Sequence, residues 1–206
     1  VLRYHRHFAE TQDFQTAKKW KYIAPDDAAA TTIGFLGLGE LGQFSADKVR
    51  AMGFQVAGWS RSAKNIDGVT SYHGPDGLAP FLASVKMLVC LLPLTDQTRG
   101  IVNADLLTQL PDDSYFINAG RGQHVVDDDL LAALDSGKLS GATLDVFHVE
   151  PLPQDHAYWS HAKVTITPHN AADSFPADVC PQILANIKGV LRGDAPLNEV
   201  KVGRGY

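Results

Sequence analysis

The chain has 206 residues, of which 45% are hydrophobic and 20% are charged. The apolar share is large enough to build a core, which excludes an intrinsically disordered chain and a collagen-like one. Lysine and arginine number 18 against 23 acidic residues, a formal net charge of -5, so the chain lacks the basic field that nucleic acid requires. The longest apolar run, 87–94, is too short to span a bilayer, and no leader pattern opens the chain. We therefore expect neither nucleic acid nor a membrane as a partner.

The two cysteines indicate the compartment. Cys90 lies within the apolar run and Cys180 within a helical pattern, so both are predicted to be buried free thiols of a cytoplasmic protein. The histidines offer pairs at 5 and 7 and at 156 and 161, and neither pair completes the ligand set of a structural zinc site. No metal site is expected.

Residues 1–27 differ from the rest of the chain. Tyr4, Phe8, Phe14 and Trp20 stand among charged residues in a pattern that predicts one long, partly amphipathic helix. A linker with three alanines follows and ends at residue 30. Because the aromatic side chains need a covering surface, we expect this helix to associate with a second copy, giving a homodimer.

From residue 31 onward, short β-branched or aliphatic runs alternate with helical patterns, which is typical of repeated βαβ units. The strands are predicted at 32–36, 54–59, 69–72, 86–91, 114–118, 141–145 and 164–167. The helices are predicted at 41–52, 103–110, 127–136 and 181–191. Asp127 and the two aspartates after it are expected to cap the third of these helices. The sequence thus predicts an α/β fold, a doubly wound parallel sheet with an N-terminal helical extension.

A glycine motif follows the first predicted strand directly and opens the first helix after it. The motif is Gly37-Leu38-Gly39-Glu40-Leu41-Gly42. In this context the first glycine permits a tight turn, the second lets a pyrophosphate approach the backbone, and the third lets the helix pack closely. Free N–H groups at the helix N-terminus favour phosphate. We therefore predict a dinucleotide site.

The end of the second strand indicates which dinucleotide binds. An NAD site places an acidic residue there, against the ribose hydroxyls, whereas this chain has Trp59, Ser60 and Arg61. The arginine can form charge-assisted contacts with a 2′-phosphate, and the serine can donate a hydrogen bond to it. These residues favour NADP(H) over NAD(H), although NAD(H) stays possible.

Three polar side chains follow later strands, at the edge where open α/β sheets bind ligands. Arg121 offers a planar fork that can hold a carboxylate and polarise a neighbouring carbonyl. His169, if paired with Glu150, would have its protonated form favoured and could act as the acid in carbonyl reduction. We predict these three residues as the catalytic set.

These motifs resemble the D-isomer-specific 2-hydroxyacid dehydrogenase family, most closely its glyoxylate/hydroxypyruvate reductase A branch. The matching segments are 37–42, Leu-Pro-Leu-Thr at 92–95 with Thr98, Asn-Ala-Gly-Arg-Gly at 118–122, 145–153 and 167–172. The resemblance implies that Arg121 binds the substrate carboxylate, that Glu150 supports His169, and that His169 donates the proton. It implies further cofactor contacts from Leu92, Pro93, Leu94, Thr98, Ala119, Gly120, Arg121, Asp145 and His169.

The resemblance also implies a domain organisation. Family members place a substrate domain before the nucleotide domain, and no such βαβ pattern precedes residue 31. We expect 1–30 to be an interdomain and dimerisation helix with its linker, 31–192 the NAD(P)-binding Rossmann domain, and 193–206 a tail that returns toward a missing substrate domain. Such a fragment should reduce a small 2-oxo acid weakly or not at all.

Three alternatives stay open from the sequence. One is an NAD-dependent relative that acts on another 2-hydroxy acid, of which a formate dehydrogenase is disfavoured because that branch carries glutamine where Glu150 stands. Another is a noncatalytic corepressor that senses dinucleotides through the same fold. The third is a metal enzyme, for which the histidine pairs are weak support.

Overall fold

The centre of the molecule is one sheet of seven parallel strands. The computed structural model describes residues 1–199, and 200–206 of the predicted C-terminal tail lie outside them. The strands are β1 (Thr32–Leu36), β2 (Gln55–Ser60), β3 (Thr70–His73), β4 (Met87–Cys90), β5 (Ser114–Asn118), β6 (Leu139–Leu144) and β7 (Val164–Ile166). The helices are α1 (Leu2–His5), α2 (Phe8–Thr16), α3 (Glu40–Ala51), α4 (Gly74–Ala83), α5 (Ala104–Thr108), α6 (Asp127–Asp135) and α7 (Pro176–Leu191). The predicted α/β class is confirmed.

The strand order fixes where a ligand can bind. The sheet runs β3-β2-β1-β4-β5-β6-β7, so the chain winds outward in one direction from β1 and then in the other direction from β4. The carboxyl ends of these two central strands lie side by side, with Leu36 in register with Cys90. A crevice opens at such a reversal because the following loops diverge to opposite sides of the sheet.

Both faces of the sheet are covered, as the apolar strands require. Successive residues alternate between the faces, so Ile33 and Phe35 pack with α3 while Leu36 packs in the other cluster with Phe81 of α4. The hydrophobic cluster that contains Leu36 and Phe81 continues across α5 and α6 and includes the fully buried Phe116. Among the described residues, no helix has the length and apolar character needed to cross a membrane.

The predicted single N-terminal helix is wrong. The chain forms two short helices, α1 and α2, separated at His7, whose φ is 52° in the left-handed region. Tyr4 is buried, stacks on Tyr115 and shares a 2.7 Å hydrogen bond with Thr143. Helix α2 has no buried residue. Anchoring α1 to the sheet therefore directs α2 away from the core, a tertiary effect that the local pattern does not encode.

Two further helices differ from prediction. Helix α4 was not predicted, because Gly74, Pro75 and Pro80 are typical helix breakers. Pro75 lies in the first turn, however, where its missing N–H costs nothing. Helix α7 begins at Pro176 for the same reason, five positions before the predicted start at 181. The boundaries of the other predicted elements agree within two residues.

The cysteine and capping predictions need correction. Both cysteines are free, but only Cys90 is buried, and burial raises the pKa of its thiol to about 12. Cys180 is exposed because it lies on α7, whose apolar side chains are also largely exposed. Asp127 does not cap α6: the cap position is Val126, whose N–H bonds the Val102 carbonyl, and Asp127 accepts from the Tyr158 hydroxyl instead.

Candidate functional site

The turn from β1 into α3 uses each of its three glycines differently. Gly37 has a φ of 105°, which disfavours side chains, and a Cβ there would lie 2.8 Å from the Leu91 carbonyl oxygen. Gly39 precedes α3 and faces open space, so a ligand can approach its backbone. A Cβ on Gly42 would lie 2.0 Å from the Gly37 carbonyl oxygen, so only glycine lets α3 pack on this turn. The geometry meets the demands of a pyrophosphate-binding turn.

Alanine at Gly42 should lower the stability of the fold, whereas alanine at Gly39 should weaken cofactor binding without lowering stability. Gly42→Ala forces backbone apart and is expected to cost about 1–3 kcal/mol of stability. Gly39→Ala should leave the melting temperature near that of the wild type and weaken NADPH binding, because its methyl group would stand where the phosphates approach. Thermal unfolding and an NADPH titration of both variants measure this. Equal melting temperatures for the two variants would contradict it.

A cleft of about 960 Å³ opens over this turn, between the ends of β1 and β4. This volume lies at the upper end of the usual range for small-molecule sites. The predicted cofactor residues that line the cleft are Gly37, Leu38, Gly39, Glu40, Leu41, Gly42, Trp59, Ser60, Arg61, Leu92, Pro93, Leu94, Thr98, Ala119, Gly120 and Arg121. The lining residues outside the predicted set are Ser62, Lys64, Leu91, Thr95, Gln97 and Ile101. Each stands within three positions of a predicted residue, so their position along the chain was the available signal.

The end of β2 forms the basic wall of the cleft. The Trp59 indole donates to the Gly74 carbonyl at 2.8 Å, and the Ser60 hydroxyl donates to the Ser62 carbonyl at 2.8 Å, which fixes the turn beyond the strand. Arg61 and Lys64 are exposed and border the cleft. Among the lining residues that the structure describes, Glu40 is the one carboxylate, and it belongs to the glycine turn. The wall beyond β2 therefore suits an anionic group.

Arg121 reaches the cleft from the loop after β5. Its guanidinium group donates to the Gly120 carbonyl at 2.6 Å. The buried Asn118 side chain accepts from the Gly120 N–H at 3.1 Å and donates to the Arg121 carbonyl at 3.0 Å. The backbone that carries the arginine is thus held from below, while its side chain stays exposed to the cleft.

Asp145 and His169 stand apart from the other predicted cofactor residues, since neither is among the residues that line the cleft. Asp145 is buried and accepts from the Thr167 hydroxyl and from the backbone N–H groups of Asn170 and Ala171. These bonds surround His169, whose φ of 54° is uncommon for a residue with a side chain. In this structure Asp145 therefore holds the histidine loop in its conformation.

His169 and Glu150 form a close pair. The imidazole Nδ1 lies 2.7 Å from the Glu150 Oε2, and the Phe147 N–H donates to Oε1 at 2.9 Å. Desolvation alone would raise the pKa of the Glu150 carboxyl. The hydrogen bonds from His169 and Phe147 outweigh it, together with the charges of His169 and Arg121, and lower that pKa. The carboxylate stays ionised and orients the imidazole with Nε2 left for another partner.

The loops that carry Arg121 and Glu150 pack directly on each other. A Cβ on Gly122 would lie 1.9 Å from the Phe147 carbonyl carbon, and the Gln123 amide donates to the His148 carbonyl at 3.3 Å. The structure therefore brings the three predicted catalytic residues to one edge of the sheet. Within residues 1–199, no three metal-ligating side chains converge into a possible ion site.

Comparison with known proteins supplies independent findings. The model of the family "D-isomer specific 2-hydroxyacid dehydrogenase, NAD binding domain" matches residues 1–171. A curated relative, the glyoxylate/hydroxypyruvate reductase A of Serratia proteamaculans, is 48% identical over the whole chain. The chain spans 66% of the length of that relative, and the same share of the one from Yersinia enterocolitica, which is 47% identical.

Solved structures of D-isomer specific 2-hydroxyacid dehydrogenases superpose closely on this chain. The D-isomer specific 2-hydroxyacid dehydrogenase of Xanthobacter autotrophicus Py2, in complex with NADPH and MES, superposes with a TM-score of 0.97 at 43% identity, covering 100% of this chain and 85% of that one. The NADPH-dependent glyoxylate/hydroxypyruvate reductase of Sinorhizobium meliloti, in complex with NADP and sulfate, superposes with a TM-score of 0.95 at 40% identity, covering 100% of this chain and 66% of that one.

Proposed function

Because the chain belongs to the D-isomer specific 2-hydroxyacid dehydrogenase family, we propose that it is the cofactor domain of an NADPH-dependent reductase of small 2-oxo acids. The proposed substrates are glyoxylate and hydroxypyruvate, and the products are the corresponding 2-hydroxy acids. The observation that carries this proposal is the 2.7 Å pair of His169 and Glu150, which lies near Arg121 at the carboxyl edge of the sheet, the same edge at which the cleft opens.

The cleft fits a dinucleotide by its own chemistry. The glycine turn leaves the space beside Gly39 open, the N-terminus of α3 offers N–H groups there, and the apolar Leu92 and Pro93 also line the cleft. A bound NADPH supplies the hydride for the reaction. Ala119 and Gly120 bring the loop of Arg121 to the same cleft, which would place the substrate-binding side chain beside the cofactor.

Arg121 and His169 divide the work on the substrate. To bind substrate, the Arg121 guanidinium would give up its hydrogen bond to the Gly120 carbonyl. It would then bind the substrate carboxylate through two hydrogen bonds and polarise the neighbouring carbonyl of the substrate. The protonated imidazole would give its Nε2 proton to the carbonyl oxygen as that oxygen gains negative charge. Glu150 would stabilise the imidazolium through Nδ1, so that the ring stays oriented and charged until the proton moves.

The preference for NADP(H) rests on the wall after β2. Arg61 and Lys64 line the cleft just beyond β2, where a dinucleotide bound to this fold would place its adenosine ribose. None of the described lining residues after β2 is acidic. Two relatives with NADPH or NADP in their crystal structures support the same preference. Arg61 would bind the 2′-phosphate by charge-assisted hydrogen bonds, with Ser60 as a further donor.

The parent protein would complete the substrate site with a further domain. The chain spans 66% of the length of its curated relatives, and the apolar side chains of Ile183, Ile187 and Leu191 on α7 are more than half exposed. We propose that residues 31–192 are the Rossmann domain, that 1–30 form the interdomain and dimerisation segment, and that α7 and residues 193–199 contact the substrate domain. A cytoplasmic homodimer fits the two free thiols and the exposed aromatic residue Trp20. Light scattering and cell fractionation test these two points, and a monomer or an exported protein would contradict them.

Turnover tests the proposed function. NADPH oxidation with glyoxylate and with hydroxypyruvate should be efficient in a full-length form and weak in the present chain, because water exclusion and substrate orientation need both walls of the site. Equal kcat/KM values for the two forms would contradict the division of the site between domains. A full-length form that oxidises no NADPH with either substrate would contradict the proposed reaction.

A further inference from the structure

His124 is a fully buried histidine directly below the proposed substrate arginine, in a short 3-10 turn formed by Gly122–His124. We infer that His124 is a positioning residue, whose Nδ1 fixes the backbone of Arg121 and thereby the direction in which the guanidinium enters the cleft. This inference rests on the proposed role of Arg121 in binding the substrate carboxylate. His124 itself would touch neither substrate nor cofactor.

The hydrogen bonds of Arg121 carry the inference. Its backbone N–H donates to His124 Nδ1 at 3.1 Å, and its carbonyl accepts from the His124 N–H at 3.2 Å. The Asn118 side chain donates to the same carbonyl. Both polar groups of the arginine backbone are therefore held, and the N–H is held by the His124 ring.

The ring is itself firmly placed. The His124 carbonyl accepts from the Val102 N–H at 2.9 Å, which ties the turn to the neighbouring segment. A Cβ on Gly120 would lie 3.0 Å from His124 Nδ1, so the loop that precedes the arginine rests directly on the ring. Gly122 packs still more closely on the Phe147 backbone, where a Cβ would lie 1.9 Å from the carbonyl carbon. A change in the ring would therefore move the arginine loop.

The geometry requires a neutral ring with its proton on Nε2, because a protonated Nδ1 cannot accept from the Arg121 N–H. Burial is the largest influence on the pKa of His124 and lowers it. Hydrogen bonds with the backbone of Pro93 and of Arg121 raise it, but burial and the positive charges of Arg121 and Arg99 outweigh them, so the pKa is lowered. As the pH falls through this lowered pKa, Nδ1 gains a proton and the bond to Arg121 is lost.

Two substitutions separate the acceptor from the bulk of the ring. Asparagine carries a side-chain acceptor near the position of Nδ1 and cannot become charged, whereas leucine fills apolar space without an acceptor. His161→Leu is the matched control, since His161 Nδ1 also accepts a backbone N–H, from Lys163 at 3.2 Å, and His161 lies outside the cleft lining. Thermal unfolding reports whether each variant folds.

The experiment is an NMR titration of the present chain with glyoxylate at saturating NADP+, a combination that cannot transfer hydride. The Arg121 amide signal follows binding, and long-range nitrogen–proton spectra of the histidine rings give the His124 tautomer. We expect a neutral ring with the proton on Nε2, about a tenfold weaker affinity for glyoxylate in His124→Leu, and recovery in His124→Asn. His161→Leu should bind as the wild type does.

The pH dependence adds a readout that a merely structural role would not move. The ratio of glyoxylate affinities, His124→Asn over wild type, should rise as the pH falls below the ordinary imidazole range. A ring protonated on Nδ1 at neutral pH, a ratio that does not change with pH, or a leucine variant with unchanged affinity would overturn the inference. Should the wild-type chain bind no NADP+ or no glyoxylate, the ring tautomer together with the Arg121 amide shift in His124→Leu decides the inference, and turnover of a full-length form separately decides the proposed function.

Discussion

Replacing His169 with glutamine in a full-length reductase is expected to lower kcat by about 10²- to 10⁴-fold, the usual contribution of a positioned general acid. Glutamine retains a polar side chain but cannot act as a proton donor to the substrate near neutral pH, because its amide does not titrate there. The KM for glyoxylate should change far less, because Arg121 would still hold the carboxylate. Steady-state NADPH oxidation measures both constants.

The partner carboxylate should contribute through the same proton. Glu150→Gln removes the charge that faces His169 Nδ1 at 2.7 Å, so it is expected to lower kcat in the same direction by a smaller factor. In the wild type, the contribution of Glu150 should be complete above the ordinary carboxyl range. It should be lost only as the pH falls through the lowered pKa of that side chain. In Glu150→Gln this acid limb should be absent.

A second histidine provides the control for this pair. His161 lies 3.3 Å from Asp135, a comparable histidine–carboxylate contact between two residues that belong to neither the predicted catalytic set nor the cleft lining. His161→Gln should therefore leave both kinetic constants near their wild-type values. A His169→Gln enzyme with wild-type kcat would refute the assignment of the proton donor, and an equal loss in His161→Gln would show that the effect is not specific to the site.

Arg61→Asp should reverse the cofactor preference. The substitution removes the proposed partner of the 2′-phosphate and introduces a carboxylate that repels a phosphate but can accept hydrogen bonds from ribose hydroxyls. Loss of charge-assisted hydrogen bonds is expected to weaken NADPH binding by about 10- to 100-fold, while NADH binding should stay equal or improve. Calorimetric titration with each dinucleotide measures both affinities.

Arg192→Asp serves as the matched control for this substitution. It makes the same change of charge at the end of α7, on a residue that does not line the cleft. If general electrostatic attraction governed binding, both variants would lose NADPH affinity equally. A preference for NADPH that survives Arg61→Asp would contradict the role given to Arg61.

The sequence predicted those parts of the molecule whose causes are local. The glycine turn could be predicted because a Cβ on Gly37 or on Gly42 would lie closer to a backbone carbonyl than van der Waals contact allows, a constraint that only glycine satisfies. The parallel sheet followed from its apolar strands, which must be covered on both faces. The approach of Glu150 to His169 followed from the rule that strand ends share one edge.

Features that depend on tertiary contacts were not predictable in this way. The break at His7 follows from the anchoring of Tyr4 on Tyr115, far away in the sequence. The placement of Asp145 behind the histidine loop depends on backbone N–H groups from Asn170 and Ala171, which no side-chain pattern announces. Helix α4 contains prolines and glycines, and burial of Phe81 and Leu82 outweighs their low helix propensity.

The proposed function requires that this chain form a dinucleotide site selective for the 2′-phosphate. Calorimetric titration of the chain with NADPH and, separately, with NADH measures that selectivity. We expect saturable NADPH binding at least tenfold tighter than NADH binding, about the effect of one charge-assisted contact. Equal affinities would contradict the role of the basic wall, and a chain that binds neither dinucleotide would contradict the claim that the cofactor site is complete within these residues.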